Sequence, residues 1–221
     1  NNHKNNDDTA QEHCINGPAF VAMLSRLTPT DSIISCDVGQ HQMWVAQHYQ
    51  FNHPRQHLSS GGLGTMGFGL PAAIGAQFSM PDHTIINVSG DGSFMMNAQE
   101  LATIKRHGLP IKIIILDNQC LGMVRQQQEL FYKERYSEID LSDNPDFLKM
   151  AEAFEIPSYS ISQSNQMRRA IEMLFAYDGP MLLHVKINAQ DNVWPIVKPG
   201  SANSNMLDET NTLNSQKGSA A

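Results

Sequence analysis

The 221 residues carry 15 Lys+Arg against 22 Asp+Glu, a net charge of −7, and 41% of them are hydrophobic. That balance fits one globular domain with a buried core and works against unassisted binding of a nucleic-acid backbone or an anionic membrane. The longest stretch free of charged or strongly polar side chains, Phe68 to Ala76, contains Pro71 and two further glycines and falls far short of the ~20 residues that cross a bilayer. Cys14, Cys36 and Cys120 are odd in number and lack Cys-x-x-Cys or Cys/His spacing, which argues against a disulfide framework or structural zinc and for a reducing, cytoplasmic setting.

Residues 1–16 read as a polar lead or linker without enough apolar surface to order, residues 17–200 as the folded domain, and residues 201–221 as a polar tail. Within the domain, Ile33–Cys36, Ile85–Val88, Ile111–Leu116 and Met181–Val185 are short aliphatic runs of the kind that form parallel strands covered on both faces. Helical spacing lies between them: Ala98, Leu101 and Ala102 after Asn97; Phe147, Ala151 and Phe154 after Pro145; and Met167, Ile171, Leu174 and Phe175. Asn97 with Glu100 three residues on predicts a helix N-cap. Strand-helix alternation predicts an α/β fold, a doubly wound, mostly parallel sheet flanked by helices, with ligands outside the strands' carboxyl ends.

Three loops follow such ends: Asp37-Val38-Gly39-Gln40-His41, Gly90-Asp91-Gly92-Ser93 and Asp117-Asn118-Gln119-Cys120. Alone, Gly90-Asp91-Gly92 is an ordinary Asp-Gly turn. Asn118 at the end of the next core strand changes its meaning, because a carboxylate and an amide oxygen from adjacent strand ends, with a backbone carbonyl, make an oxygen site suited to Mg²⁺ and phosphate. Gly62-Leu63-Gly64-Thr65-Met66-Gly67 also matches the dinucleotide fingerprint G-x-G-x-x-G. That fingerprint needs a buried strand before its first glycine, and Arg55 to Ser60 is too polar to be one, so nicotinamide binding is set aside.

Gly-Asp-Gly, an intervening helix and strand, then Asn resembles the signature of thiamine-diphosphate-dependent enzymes. The runs Asp37 to Trp44, Gly61 to Ala73, Gly90 to Phe94 and Leu121-Gly122-Met123-Val124 resemble the carboxyl-terminal domain of acetolactate (acetohydroxyacid) synthase large subunits. Asn192-Val193-Trp194-Pro195 and Ser201 to Leu207 are similar to the isozyme II type, so the resemblance runs from about Gly17 to Leu207.

The resemblance implies that Asp91, Asn118 and the Cys120 carbonyl hold Mg²⁺, and that Gln40 and His41 meet the diphosphate. Gly90, Gly92 and Ser93 would support the diphosphate, Met66 would prop the bent cofactor, and Gly64, Gly122 and Met123 would line the same cleft. Trp44 reads instead as core, and no catalytic residue is expected in this chain, because the family's activating glutamate lies in an amino-terminal domain. FAD belongs to a middle domain of the full-length enzyme.

The chain therefore reads as a fragment or split piece of a large subunit that joins pyruvate, after decarboxylation, to a second 2-keto acid in branched-chain amino-acid biosynthesis. Such a piece would be inactive alone and would work with the missing large-subunit domains, in a homo-oligomer with a regulatory small subunit. Gln127 stands where the family typically has Trp, which opens the pocket shared with Met123 and weakens the expected choice of 2-ketobutyrate over pyruvate. Another thiamine-diphosphate-dependent decarboxylase or carboligase, or a non-catalytic binding module, are the alternative readings.

Overall fold

The computed structural model describes residues 14–210. Six strands, β1 (Ile33–Cys36), β2 (His57–Ser59), β3 (Ile85–Gly90), β4 (Lys112–Asp117), β5 (Ser158–Ile161) and β6 (Met181–Lys186), form one sheet in the order β2-β1-β3-β4-β6-β5. Every pairing is parallel. The helices between them are α1 (Gly17–Leu27), α2 (Gln40–His48), α3 (Gly69–Ser79), α4 (Asp91–Met95), α5 (Leu101–His107), α6 (Gly122–Phe131), α7 (Phe147–Ala153) and α8 (Met167–Ala176). No helix among the described residues is long and apolar enough to cross a membrane.

β3 and β4 are buried along their whole length, and their β-branched residues suit strands with neighbours on both edges and helices on both faces. The core beneath α3, α5 and α7 gathers Ile85, Leu101, Ile104, Ile113, Ile115 and Phe147. The chain leaves β1 for β2 on one side and then returns to place β3 on the other, so winding reverses between β1 and β3. At such a reversal the outgoing loops diverge and leave a crevice at the carboxyl ends.

Four expected strands are present, with β3 and β4 extending to Gly90 and Asp117. The exclusion of a strand in residues 55–60 is corrected, since His57–Ser59 pairs with β1 as the outer strand. Its three residues are half-buried, and an edge strand with one neighbour has no need of an apolar run. The glycines that follow occupy an exposed loop rather than the start of α3, which begins at Gly69. Asn97 makes no side-chain cap. Its Nδ2 donates instead to the Gly67 carbonyl at 2.7 Å.

The first thirteen residues of the expected lead lie outside the described residues. Ile15 is fully buried and bridges Ile187, and Asn16 Oδ1 accepts the Ala19 amide to cap α1, so these two residues pack with the folded part. A compact unit runs to Asp191, and a second begins at Asn192. In the second, β7 (Ile196–Val197) pairs antiparallel with β8 (Met206–Leu207), so the expected boundary at residue 200 falls inside a hairpin. Residues 211–221 of the expected tail lie outside the described residues.

Central and edge strands should differ in energetic weight. Ile113→Ala, in the fully buried β4, should cost about 2–5 kcal/mol. Leu58→Ala on half-buried β2 should cost less than half of that, both measured by urea unfolding.

Candidate active site

β1, β3 and β4 are neighbours, and each ends in one of the three polar loops singled out from sequence. The loops run directly into α2, α4 and α6, whose first turns open on the reversal crevice. The amides of a helix's first turn have no partners within the helix and carry partial positive charge, so three such ends make a setting for an anion. Neither α2 nor α6 has a side-chain cap to consume those amides.

The crevice is a cleft of about 760 Å³. Gln40, His41, Gly64, Met66, Gly90, Asp91, Gly92, Ser93, Asn118, Cys120, Gly122, Met123 and Gln127 all line it, so every expected site residue is brought together. Trp44, read as core, is 1% exposed and also forms part of the wall. Its Nε1 is buried without a hydrogen-bond partner among the described residues. Gln128 late in α6, and Tyr132 and Arg135 in the exposed segment after it, also line the cleft and were not expected, because nothing in their spacing ties them to a distant glycine turn.

Asp91 is 2% exposed, the first residue of α4. Burial, and then the neighbouring Asp117 carboxylate, push its carboxyl up to about 8. Burial would also raise Asp117, but hydrogen bonds from His184 and the Gln119 amide hold it below the usual carboxylate range. His184 Nε2 lies 2.8 Å from Asp117 Oδ2, and its Nδ1 lies 3.0 Å from Ser160 Oγ on β5. Two acids thus share one buried locus, with Asp91 carrying the proton, and a cation there would relieve the crowding of negative charge.

Asn118 and Cys120 line the same cleft as Asp91. Leu121 N donates to Ile139 O at 2.8 Å and Leu141 N to Gln119 O at 2.9 Å, while Cys120 bridges Asp140 between them. In that antiparallel register Cys120's own N–H and C=O turn away from residues 139–141. Its N–H reaches Asn118 Oδ1 at 3.2 Å, so the Cys120 carbonyl and the Asn118 side chain face the same side. Among the described residues no group of three or more His, Cys, Asp or Glu could hold a metal ion. The site instead offers one carboxylate, one amide oxygen and one carbonyl, which fits a hard cation that shares phosphate oxygens. The Cys120 thiol, pushed up to about 11 chiefly by burial, stays protonated at neutral pH.

Gln40, His41 and Ser93 brace the walls. Gln40 Nε2 donates to Gln126 Oε1 and to the Asp191 carbonyl, each at 3.0 Å, and its Oε1 accepts from Asn118 Nδ2 at 3.4 Å. His41 Nε2 accepts the Gly90 amide at 3.2 Å, and burial lowers its pKa to about 3, so the ring is neutral and ties the β1 loop to the end of β3. Ser93 Oγ accepts from Gly90 N and donates to Gly90 O. A Cβ at Gly122 would collide with Gln40 Oε1 and lie 2.5 Å from Asn118 Nδ2, so only glycine lets α6 start this close to both. A Cβ at Gly92 would stand 3.7 Å from Met66 Cε, which places the Met66 methyl across the cleft from the loop after β2.

A doubly wound α/β protein with a winding-reversal cleft, three helix starts and an acid–amide–carbonyl cluster belongs to the class that binds phosphorylated ligands at strand ends. Residues 37–185 match the family model "Thiamine pyrophosphate enzyme, C-terminal TPP binding domain", and the chain belongs to that family. It is 54% identical over 195 residues to the acetolactate synthase isozyme 2 large subunit of Escherichia coli K12, covering 88% of this chain and 36% of that relative. It is also 45% identical over 196 residues to the chloroplastic acetolactate synthase 1 of Nicotiana tabacum, covering 86% of this chain and 29% of the relative. Among solved structures, the thiamine diphosphate-dependent 4-hydroxybenzoylformate decarboxylase of Rhodococcus jostii RHA1 superposes with a TM-score of 0.73 at 25% identity, over 80% of this chain and 33% of that one. The chain thus spans about a third of the length of the curated relatives it matches.

Asp91 makes stability depend on pH. Its folded-state pKa lies above the unfolded value of 3.8, so the ligand-free fold binds more protons than the unfolded chain between about pH 4 and 8. That contribution falls as pH rises through the window, by at most about 1.4 kcal/mol per pH unit, while buried His41, lowered to about 3, contributes the opposite slope below its ordinary 6.5. The stability of wild type minus that of Asp91→Asn, from urea unfolding at pH 5, 6 and 7, should therefore fall with pH, because His41 acts alike in both proteins.

Proposed function

We propose that this chain is the cofactor-anchoring portion of an acetolactate synthase, which joins pyruvate to a second 2-keto acid in branched-chain amino-acid biosynthesis. The observation that supports this reading is that Asp91, Asn118 and Cys120 line one cleft together with the uncapped first turns of α2 and α6. Similarity to acetolactate synthases from bacteria and plants, at 43–54% identity, favours this activity over another carboligase or decarboxylase.

In this reading Asp91, Asn118 and the Cys120 carbonyl hold Mg²⁺, and the helix-start amides take the diphosphate oxygens left over. Gln40, His41 and Ser93 act on the diphosphate mainly by fixing the backbone that meets it. Bound thiamine diphosphate supplies the carbon centre that adds to a 2-keto acid and stabilises charge after CO₂ is lost. Met66 supports the ring-bearing part of the cofactor from across the cleft, and Leu116, Met123 and Ile187 line it with apolar surface that excludes water. The group that activates the cofactor, and FAD, are assigned to parts of the large subunit that these 221 residues do not match. A homo-oligomer with a regulatory small subunit, in the cytoplasm, completes the proposal.

Met123 and Gln127 lie four residues apart on α6 and both face the cleft, which makes them the pocket wall for the second 2-keto acid. Gln127 is exposed at that wall, so contact with an extra methylene is weak.

Titration calorimetry should show the 221-residue chain binding thiamine diphosphate only with Mg²⁺, with an affinity that rises from pH 6 to 8 because the cation displaces the Asp91 proton. Asp91→Asn should weaken binding by about tenfold or more, as expected for a lost charged ligand. Binding that ignores both Mg²⁺ and Asp91→Asn would reject the anchor. The same chain should not convert pyruvate unless complemented by the remaining large-subunit portion.

In the complemented enzyme, Gln127→Trp should raise preference for 2-ketobutyrate over pyruvate several-fold, read from product ratios in competition, because one methylene in a fitted pocket is worth about 1–3 kcal/mol. Unchanged ratios with intact activity would remove Gln127 from the acceptor wall.

A further inference from the structure

The loop that carries Gly64 and Met66 is exposed from Gly61 to Thr65, and Leu63 at its tip is 94% exposed. Such a loop cannot hold Met66 across a cleft by its own packing. Its base is held by polar contacts. Asp37, 1% exposed at the end of β1, accepts the Val38 amide at 2.8 Å and the Gly67 amide at 2.9 Å on Oδ1, and the Gly69 amide at 2.8 Å on Oδ2. The carbonyls of the same two glycines are also taken: Asn97 Nδ2 donates to Gly67 O at 2.7 Å, and Ser35 Oγ donates to Gly69 O at 2.7 Å.

All four backbone polar groups of Gly67 and Gly69 are thus bonded to side chains of other elements. Gly69 opens α3, whose N-cap residue Phe68 makes no side-chain cap. Asp37 supplies that cap from 32 residues away, with its negative charge at the positive end of the helix. The approach is close enough that a Cβ on Gly69 would lie 2.9 Å from Asp37 and 2.7 Å from Asn87 Nδ2.

We propose that Asp37 is a positioning residue that pins the 61–68 loop to the end of β1 and thereby fixes Met66 against the ring-bearing part of the cofactor. The proposal rests on the anchoring function given above. Asp37 itself does not line the cleft. One of its bonds stays in its own loop and two reach the base of the 61–68 loop, so its loss should weigh on the organic half of the ligand more than on the diphosphate, which separates positioning from general damage to the fold.

The test compares two probes on the 221-residue chain, Mg²⁺ with inorganic pyrophosphate and Mg²⁺ with thiamine diphosphate, by calorimetry. Asp37→Asn puts an amide donor where Asp37 now accepts backbone N–H groups. It should weaken thiamine diphosphate about tenfold, as for a buried donor left unpaired, while pyrophosphate stays within about twofold. Amide hydrogen exchange without ligand should rise over residues 61–69. Asn97→Ala, which frees the Gly67 carbonyl and otherwise only the exposed Gln99 amide, should give the same pattern with a smaller loss, and decides the matter if Asp37→Asn does not fold.

Equal loss of both probes, or unchanged thiamine diphosphate affinity, would overturn the assignment. If wild-type chain binds neither probe, the anchoring function fails, and unchanged exchange over residues 61–69 in the variants would separately overturn the pin.

Discussion

Burying Asp91 against Asp117 is unfavourable for two anions, and the chain tolerates it only at the edge where three strands end. The parallel sheet makes this possible by delivering three loops and three helix starts to one edge, where Asp91 lies in the first turn of α4 and accepts backbone amides there. Protonation of Asp91 is the ligand-free resolution of that crowding. A divalent cation with its own anionic cargo is the other resolution in the proposed function, and it reuses the same geometry without repacking the core.

Around this locus the fold spends many polar side chains on one another. Gln40, Asn118 and Gln126 form an amide chain, His41 links two strand ends, and Asp37 ties down the loop beside them. A buried polar network of this kind is stable only when its members are satisfied, and it then fixes one arrangement. The walls of the cleft are therefore set before any ligand arrives, which lowers the ordering cost of binding.

Much of this was legible from residues alone, because buried parallel strands and glycine turns leave strong local patterns. Gly90-Asp91-Gly92 and Asn118 fall at adjacent strand ends, as expected, since the two strands that carry them are neighbours in sequence order and in the sheet. The polar strand β2 was missed because an edge strand needs no apolar run, and Asn97 was misassigned because its partner is a carbonyl thirty residues away. The task of Asp37 leaves no trace in its own motif, since two of the amides it binds belong to a distant loop. Trp44 was read as core, and it is buried, yet it also walls the cleft; spacing on a helix cannot tell a core face from a pocket face.

The contact from Ser160 through His184 to Asp117 crosses three strands, from the outer strand β5 to the central β4. Its effect is to hold the Asp117 carboxyl below the usual carboxylate range, which leaves Asp91 as the member of the pair whose carboxyl is pushed up. Two chemically identical side chains thus differ because one of them meets a histidine ring that reaches it from the neighbouring strand β6.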